Sequence, residues 1–105
     1  MSNILPLFAY GTLRYGKYQV EALGKTLVSE PDILQGFERK RIVYRGKKYF
    51  VLRKNPKKFI SGKCLCVTAE DLMRLDKYES KYTREKVKLQ SGLYAYVYIP
   101  MGILS

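Results

Sequence analysis

Apolar positions along the chain change their spacing several times, and each change marks an element. Residues 4 to 10, Ile-Leu-Pro-Leu-Phe-Ala-Tyr, are almost continuously apolar, as in a strand buried on both faces. The stretch Gly11 to Gly16 reads as a turn, and the residues around Tyr18 to Leu23 leave room for a short helix ending near Gly24. From Gln35 the pattern becomes two strands, "RKRIVYR" and "KKYFVLR", on either side of a hairpin turn at Gly46, and "FISGKCLCVT" reads as another strand. A helix is expected from Thr68 to Tyr78. Thr68 and Asp71 form a T-x-x-D variant of the capping box, and Glu70 and Asp71 suit the positive amino end of a helix. In "YTREKVKLQSGLYAYVYIP", Val87 and Leu89 alternate with lysines and Ser91-Gly92 turns the chain. Leu93, Ala95, Val97 and Ile99 then oppose Tyr94, Tyr96 and Tyr98 until Pro100 ends the strand. Strands dominate and two short helices interrupt them, which predicts an α+β fold with a strongly curved or closed, antiparallel-rich sheet.

The chain has 105 residues and shows no internal repeat or linker, so one domain over residues 1–105 is expected. It has no uninterrupted apolar run of the ~18 residues that a membrane span needs, and no signal-peptide layout at its start. A cytoplasmic protein that does not enter membranes is expected. Histidine is absent, which excludes imidazole catalysis and histidine ligation; acid–base chemistry falls to a carboxylate, tyrosine, lysine or cysteine. Cys64 and Cys66, two apart on a strand, share a face but lack the further ligands of a zinc site, and read as buried thiols.

Charge alters the picture more than length does. The formal net charge is +11, ten of the twenty basic residues lie between Arg39 and Lys58, and no acid falls between Glu38 and Glu70. Such a field attracts nucleic acid, anionic lipid or acidic small molecules, and it also keeps a hairpin edge solvated.

Two places carry candidate chemistry. Gly11-Thr12-Leu13-Arg14-Tyr15-Gly16-Lys17 matches the G-x-x-x-x-G-K of a phosphate-binding loop, but Tyr18 replaces the small hydroxyl residue that would ligate magnesium. Glu79 follows Leu72 and Leu75 at i+7 and i+4, so it continues the apolar stripe of its helix at the carboxyl end, where the helix dipole disfavours an anion. Burial there would raise its pKa toward the range useful for proton transfer. The alternative is an earlier helix end, with Glu79 in solvent beside Lys77, Lys81 or Arg84. Asp76 and Arg84 read as members of structural ion pairs.

An apolar strand running into "YGTLR", then "LDKYESKYTREKV" after a short helix, then an aromatic-rich last strand, resembles the gamma-glutamylcyclotransferase-like family, particularly its gamma-glutamylamine cyclotransferase-type members. The resemblance covers Leu7 to Pro100 and is specific at its two ends. It implies a small closed or partly closed mixed β-barrel with two short helices and a substrate cavity at one mouth. Glu79, at the family's "YE" position, would be the catalytic acid and base, and the backbone of Tyr10, Gly11, Thr12 and Leu13 would hold the substrate. The implied reaction closes a γ-glutamyl amide or amine to 5-oxoproline and releases the amine, with no metal or cofactor. The chain departs from the family at Ser80, where glycine is usual, and at Tyr15 to Gln19, which replace familiar asparagine and histidine.

Two other functions compete. The Arg39 to Lys58 hairpin interleaves its cations with Tyr44, Tyr49 and Phe50, a combination that could hold phosphates and stack bases of a nucleic acid. A catalytically silent member of the fold would instead pair with partners through its tyrosine stripe.

Overall fold

The near-continuous apolar run at the start of the chain becomes the middle strand of the sheet, β1 (Leu5–Ala9). The computed structural model describes residues 4–100. A 3₁₀ turn (Thr12–Arg14) and α1 (Gly16–Leu23) follow, then β2 (Ser29–Tyr44), β3 (Lys47–Val67), α2 (Ala69–Tyr78), β4 (Tyr82–Lys88) and β5 (Tyr94–Pro100). The strands are ordered β2-β3-β1-β5-β4, and every pairing is antiparallel except β1 with β5. The sheet is therefore mixed.

Strand alternation sends side chains to two cores. Leu7, Ala9, Leu65, Val67 and Tyr98 meet Leu23 of α1 and Leu72 and Leu75 of α2 on the face that the helices cover. Phe8, Tyr10, Ile60, Cys64, Ala95 and Val97 occupy the other face with Leu34, Leu52 and Leu89. This second core is covered by the sheet itself. The β2–β3 ladder slips between Gln35, opposite Phe59, and Phe37, opposite Lys54, so that β3 carries extra residues there and the pair bends. Beyond the bend, Phe37, Phe50 and Leu52 fold back onto the second core. The opposite edge is drawn in as well, because the Gln90 N–H donates to the Ile33 carbonyl (2.8 Å) and the Ser91 hydroxyl to Asp32 (2.7 Å). The result is the α+β, partly closed barrel that the sequence predicts. At Gly62 a Cβ would lie 2.4 Å from the Ala9 carbonyl oxygen, so only glycine lets β3 approach β1 this closely.

Local signals account for most boundaries. The Thr68 hydroxyl accepts from the Asp71 N–H while the Asp71 carboxylate accepts from the Thr68 N–H, each at 3.0 Å, which completes the capping box. Gly24 closes α1 in the left-handed conformation, φ 75°. Arg45 and Gly46 both have positive φ, as in the two-residue type I′ turn. Three expectations need correction. "FISGKCLCVT" is the continuation of β3 rather than a separate strand, and β2 begins at Ser29, well before Gln35. Pro31 conceals that early part from pattern reading, yet it costs no ladder bond on the outer side of an edge strand. The third correction concerns the thiols: Cys64 lies opposite Phe8 and is buried, whereas Cys66 lies opposite Pro6, towards the end of that face, and is exposed. No helix among the described residues is long and apolar enough to cross a membrane.

Candidate active site

The Gly11 turn and the end of α2 lie far apart in sequence and share one cleft of about 420 Å³. One wall is the segment Leu7–Leu13. The segment Tyr78 to Tyr82 and the last strand's Tyr98 line it as well. Arg41, Lys47, Lys48 and Phe50, from the bent part of the β2–β3 hairpin, complete the rim.

Glu79 owes its position to both neighbours of the connection it starts. Leu72 and Leu75 anchor α2 in the helix-covered core, the Glu79 N–H donates to the Leu75 carbonyl (2.7 Å), and the Glu79 carbonyl accepts from the Tyr82 N–H (2.9 Å). The side chain is half-buried, and this desolvation pushes its carboxyl up to about 7. The helix runs through Tyr78 as predicted, so the alternative of an earlier end with Glu79 in open solvent does not hold. Ser80 replaces glycine without backbone strain: among the described non-glycine residues only Arg45 has a positive φ.

On the Leu7–Leu13 wall, Tyr10 is buried and donates its hydroxyl to the Tyr98 carbonyl (2.5 Å). Burial, then the nearby Tyr82 and Glu79, raise its pKa, so the phenol stays a neutral donor. Leu13 turns its side chain into the core, while the N–H groups of Thr12 and Leu13 head the 3₁₀ turn and take no bond within it. Two guanidiniums grip the carbonyls of this turn: Arg14 Nε donates to Gly11 (2.9 Å) and Arg39 Nη1 to Tyr10 (2.8 Å). The cation of Arg39 also lies 4.7 Å from the centre of the Phe50 ring, and that of Arg41 lies 5.2 Å from it. Phe50 is thus flanked by arginines and is not an open platform for a base. The side chains of Tyr44 and Tyr49 lie outside the described residues.

Asp76 and Arg84, each expected in a structural ion pair, pair with one another, bidentate at 2.7 and 3.0 Å, and the Tyr98 hydroxyl donates to Asp76 (2.9 Å). The tyrosine stripe of β5 is largely internal, since Tyr98 is buried and Tyr96 packs on the helix-covered core, leaving Tyr94 exposed. Glu79 and Tyr10 to Leu13, the candidates from the sequence, line one cleft, and the contacts of Gln19, Arg39, Tyr82 and Tyr98 around them were not anticipated. Buried Gln19 donates to the Leu13 carbonyl (2.9 Å) and accepts from the Leu27 N–H (2.8 Å), bracing the turn from behind. No local motif announces these roles; the hairpin bend creates the contact of Arg39, and the order of β1 and β5 that of Tyr98.

A partly closed mixed sheet with two helices on one face, and one cleft lined by both the Gly11 turn and the end of α2, defines the class as a small α+β fold. The chain belongs to the family described as Gamma-glutamyl cyclotransferase, AIG2-like, whose profile matches residues 7–103. Among solved structures it is similar to two from Arabidopsis thaliana. One has 24% identity and a TM-score of 0.81, over 97% of this chain and 72% of the other. The second has 20% identity and a TM-score of 0.79, over 95% of this chain and 65% of the other. It is also similar to a structure titled "Gamma-glutamyl cyclotransferase", at 16% identity and a TM-score of 0.79 over 94% of this chain and 68% of that one. The chain thus spans about two thirds of the length of these proteins. At these identities the likeness concerns the fold alone. No curated protein matches the sequence.

Proposed function

We propose that the protein cyclises a γ-glutamyl amide or amine to 5-oxoproline in the cytoplasm, with Glu79 as acid and base and the Tyr10–Leu13 turn as the substrate clamp. The observation that carries this reading is the shared cleft, lined both by Glu79, whose carboxyl burial pushes up to about 7, and by the Tyr10–Leu13 segment. Membership in the gamma-glutamyl cyclotransferase family supports it.

The chemistry follows from the substrate's own groups. Its α-amine is protonated at neutral pH; Glu79 as carboxylate removes one proton and frees the lone pair. The amine nitrogen then attacks the γ-carbonyl carbon, forming the ring N–C bond, and the resulting oxyanion needs donors such as the Thr12 and Leu13 N–H groups. Collapse breaks the bond to the leaving nitrogen, which receives the proton that Glu79 holds, while the ring nitrogen, left with two hydrogens by the attack, gives one to solvent to become the lactam N–H. One carboxyl therefore serves twice and ends in its starting state. A pKa near 7 suits both halves, because the group gives and accepts protons about equally well at that pH. Folding the γ-glutamyl chain against the turn supplies the proximity of an intramolecular reaction.

The test incubates the protein with γ-glutamyl amides and measures 5-oxoproline and free amine together. Equal amounts of the two, with release at least ~100-fold slower in Glu79→Gln, are expected. Equal release by wild type and variant would remove Glu79 from the reaction, and no product from any γ-glutamyl compound would contradict the reading as a whole.

A further inference from the structure

The positive charge of the chain is not spread evenly over it. Residues 38–63 hold eleven of the twenty cations and one acid, Glu38, whereas the rest of the chain holds nine cations and eight acids. Four of those eight acids, Glu21, Glu70, Asp71 and Asp76, sit on the two helices. A coat that only kept the protein soluble would intersperse the two signs. Here they are segregated. Glu38 is already engaged, meeting Lys40 at 3.5 Å and Arg53 at 3.8 Å and accepting from Asn55 at 3.0 Å. Lys54, Lys57, Lys58 and Lys63 are exposed and form no ion pair among the described residues.

The slip in the β2–β3 ladder gives this stretch its shape. Lys54 is opposite Phe37 and Phe59 is opposite Gln35, so residues 55–58 of β3 stand against Gly36 alone and bulge out of the ladder. The Asn55 carboxamide fixes the bulge, since its oxygen accepts from the Lys57 N–H (3.1 Å) while its nitrogen donates to Glu38. Phe59, at the end of the bulge, is 63% exposed. Ile60 and Cys64 belong to the second core, so strand alternation puts Phe59 with Ser61 and Lys63 on the other face. Packing does not account for a phenylalanine there. Lys63 is paired on both sides, with Pro31 and Ala9, so protection of a sheet edge does not account for its charge either.

We infer that the strip from Lys54 to Lys63 binds single-stranded nucleic acid, its lysines meeting successive phosphates while the Phe59 ring stacks on one unpaired base. The free ring is what selects this partner among polyanions. A duplex keeps its bases stacked on one another, and an anionic membrane would satisfy the lysines but calls for a cluster of apolar side chains rather than one ring among cations. At ~3.3 Å per residue the strip spans about 20 to 30 Å, room for several nucleotides. None of these five side chains lines the cleft, so the inference stands apart from the cyclotransferase reading.

The experiment titrates the full chain into a fluorescently labelled oligothymidylate of ~12 nucleotides and follows anisotropy from ~50 to ~200 mM salt. Affinity is expected to fall with a log–log slope of about −3, as four phosphate contacts on a single strand give. Lys54→Gln, Lys57→Gln, Lys58→Gln and Lys63→Gln together should weaken binding at low salt by about tenfold or more and flatten that slope. The same change at Lys17, Lys77, Lys86 and Lys88, exposed lysines of other elements, removes equal charge and should alter binding little. Phe59→Ala should weaken binding about fivefold or more and leave the slope unchanged, whereas Phe59→Tyr, which keeps the ring, should bind as wild type does. No binding at ~50 mM salt, equal losses in the two lysine sets, or wild-type affinity in Phe59→Ala would overturn the inference. Tighter binding to a duplex of the same length, or to vesicles containing phosphatidylserine, would overturn it too.

Discussion

Glu79 is the residue whose environment departs most from what its side chain prefers. In the unfolded chain its carboxyl titrates near the ordinary value of 4.5, and in the cleft burial moves it to about 7. The raised value means that the folded protein holds the proton more tightly. This residue therefore has no effect on stability below pH 4.5, where both states are protonated. Its cost grows as pH rises toward 7, where the folded cleft must carry the charge. Glu79→Gln, which is neutral throughout, is expected to match wild type in melting temperature near pH 4 and to exceed it at pH 8 by several degrees, on the order of 1 to 3 kcal/mol. Melting curves over that range check this; a difference independent of pH would place the carboxyl in ordinary solvent. The position of Glu79 was legible because 72, 75 and 79 fall on one helical stripe ending in a carboxylate. Its degree of burial was not, because the cleft it lines is completed by residues of β1, β5 and the hairpin.

Among the elements, the β2–β3 hairpin does the work that pattern reading recognised least. Its turn was readable from Gly46, and its cations from composition, but the bend between Gln35 and Phe37 depends on a ladder slip that no local signal announces. That bend brings Arg39 to the Tyr10 carbonyl and ties the clamp turn to a strand 29 residues away. Removing this charge-assisted bond would free the Tyr10–Gly11 peptide to rotate and, in the proposed mechanism, misalign the N–H groups of Thr12 and Leu13. For Arg39→Gln, kcat/KM is expected to drop about tenfold with kcat taking much of the loss, while Arg39→Lys, which keeps a cationic donor, recovers part of it. Steady-state kinetics with one γ-glutamyl substrate decide the matter; unchanged kcat in Arg39→Gln would show that the turn holds its shape unaided. The helices behaved differently. Capping box, leucine stripe and glycine stop are all local, and α1 and α2 were readable for that reason.

At the scale of the whole molecule, a small sheet makes a cleft by closing only part way. Helices bury one face, the curled strands bury the other, and the mouth left between β1, the hairpin and the α2–β4 connection is the cleft of the proposed site. The central claim is that a desolvated carboxyl and a ligand-holding turn meet in that mouth. The measurement that tests it most directly is the carbon-13 NMR titration of the Glu79 carboxyl in the folded protein, with and without 5-oxoproline. The account predicts a midpoint near pH 7 that moves higher when the product's carboxylate occupies the cleft beside it. A midpoint near 4.5 that ignores added 5-oxoproline would contradict it.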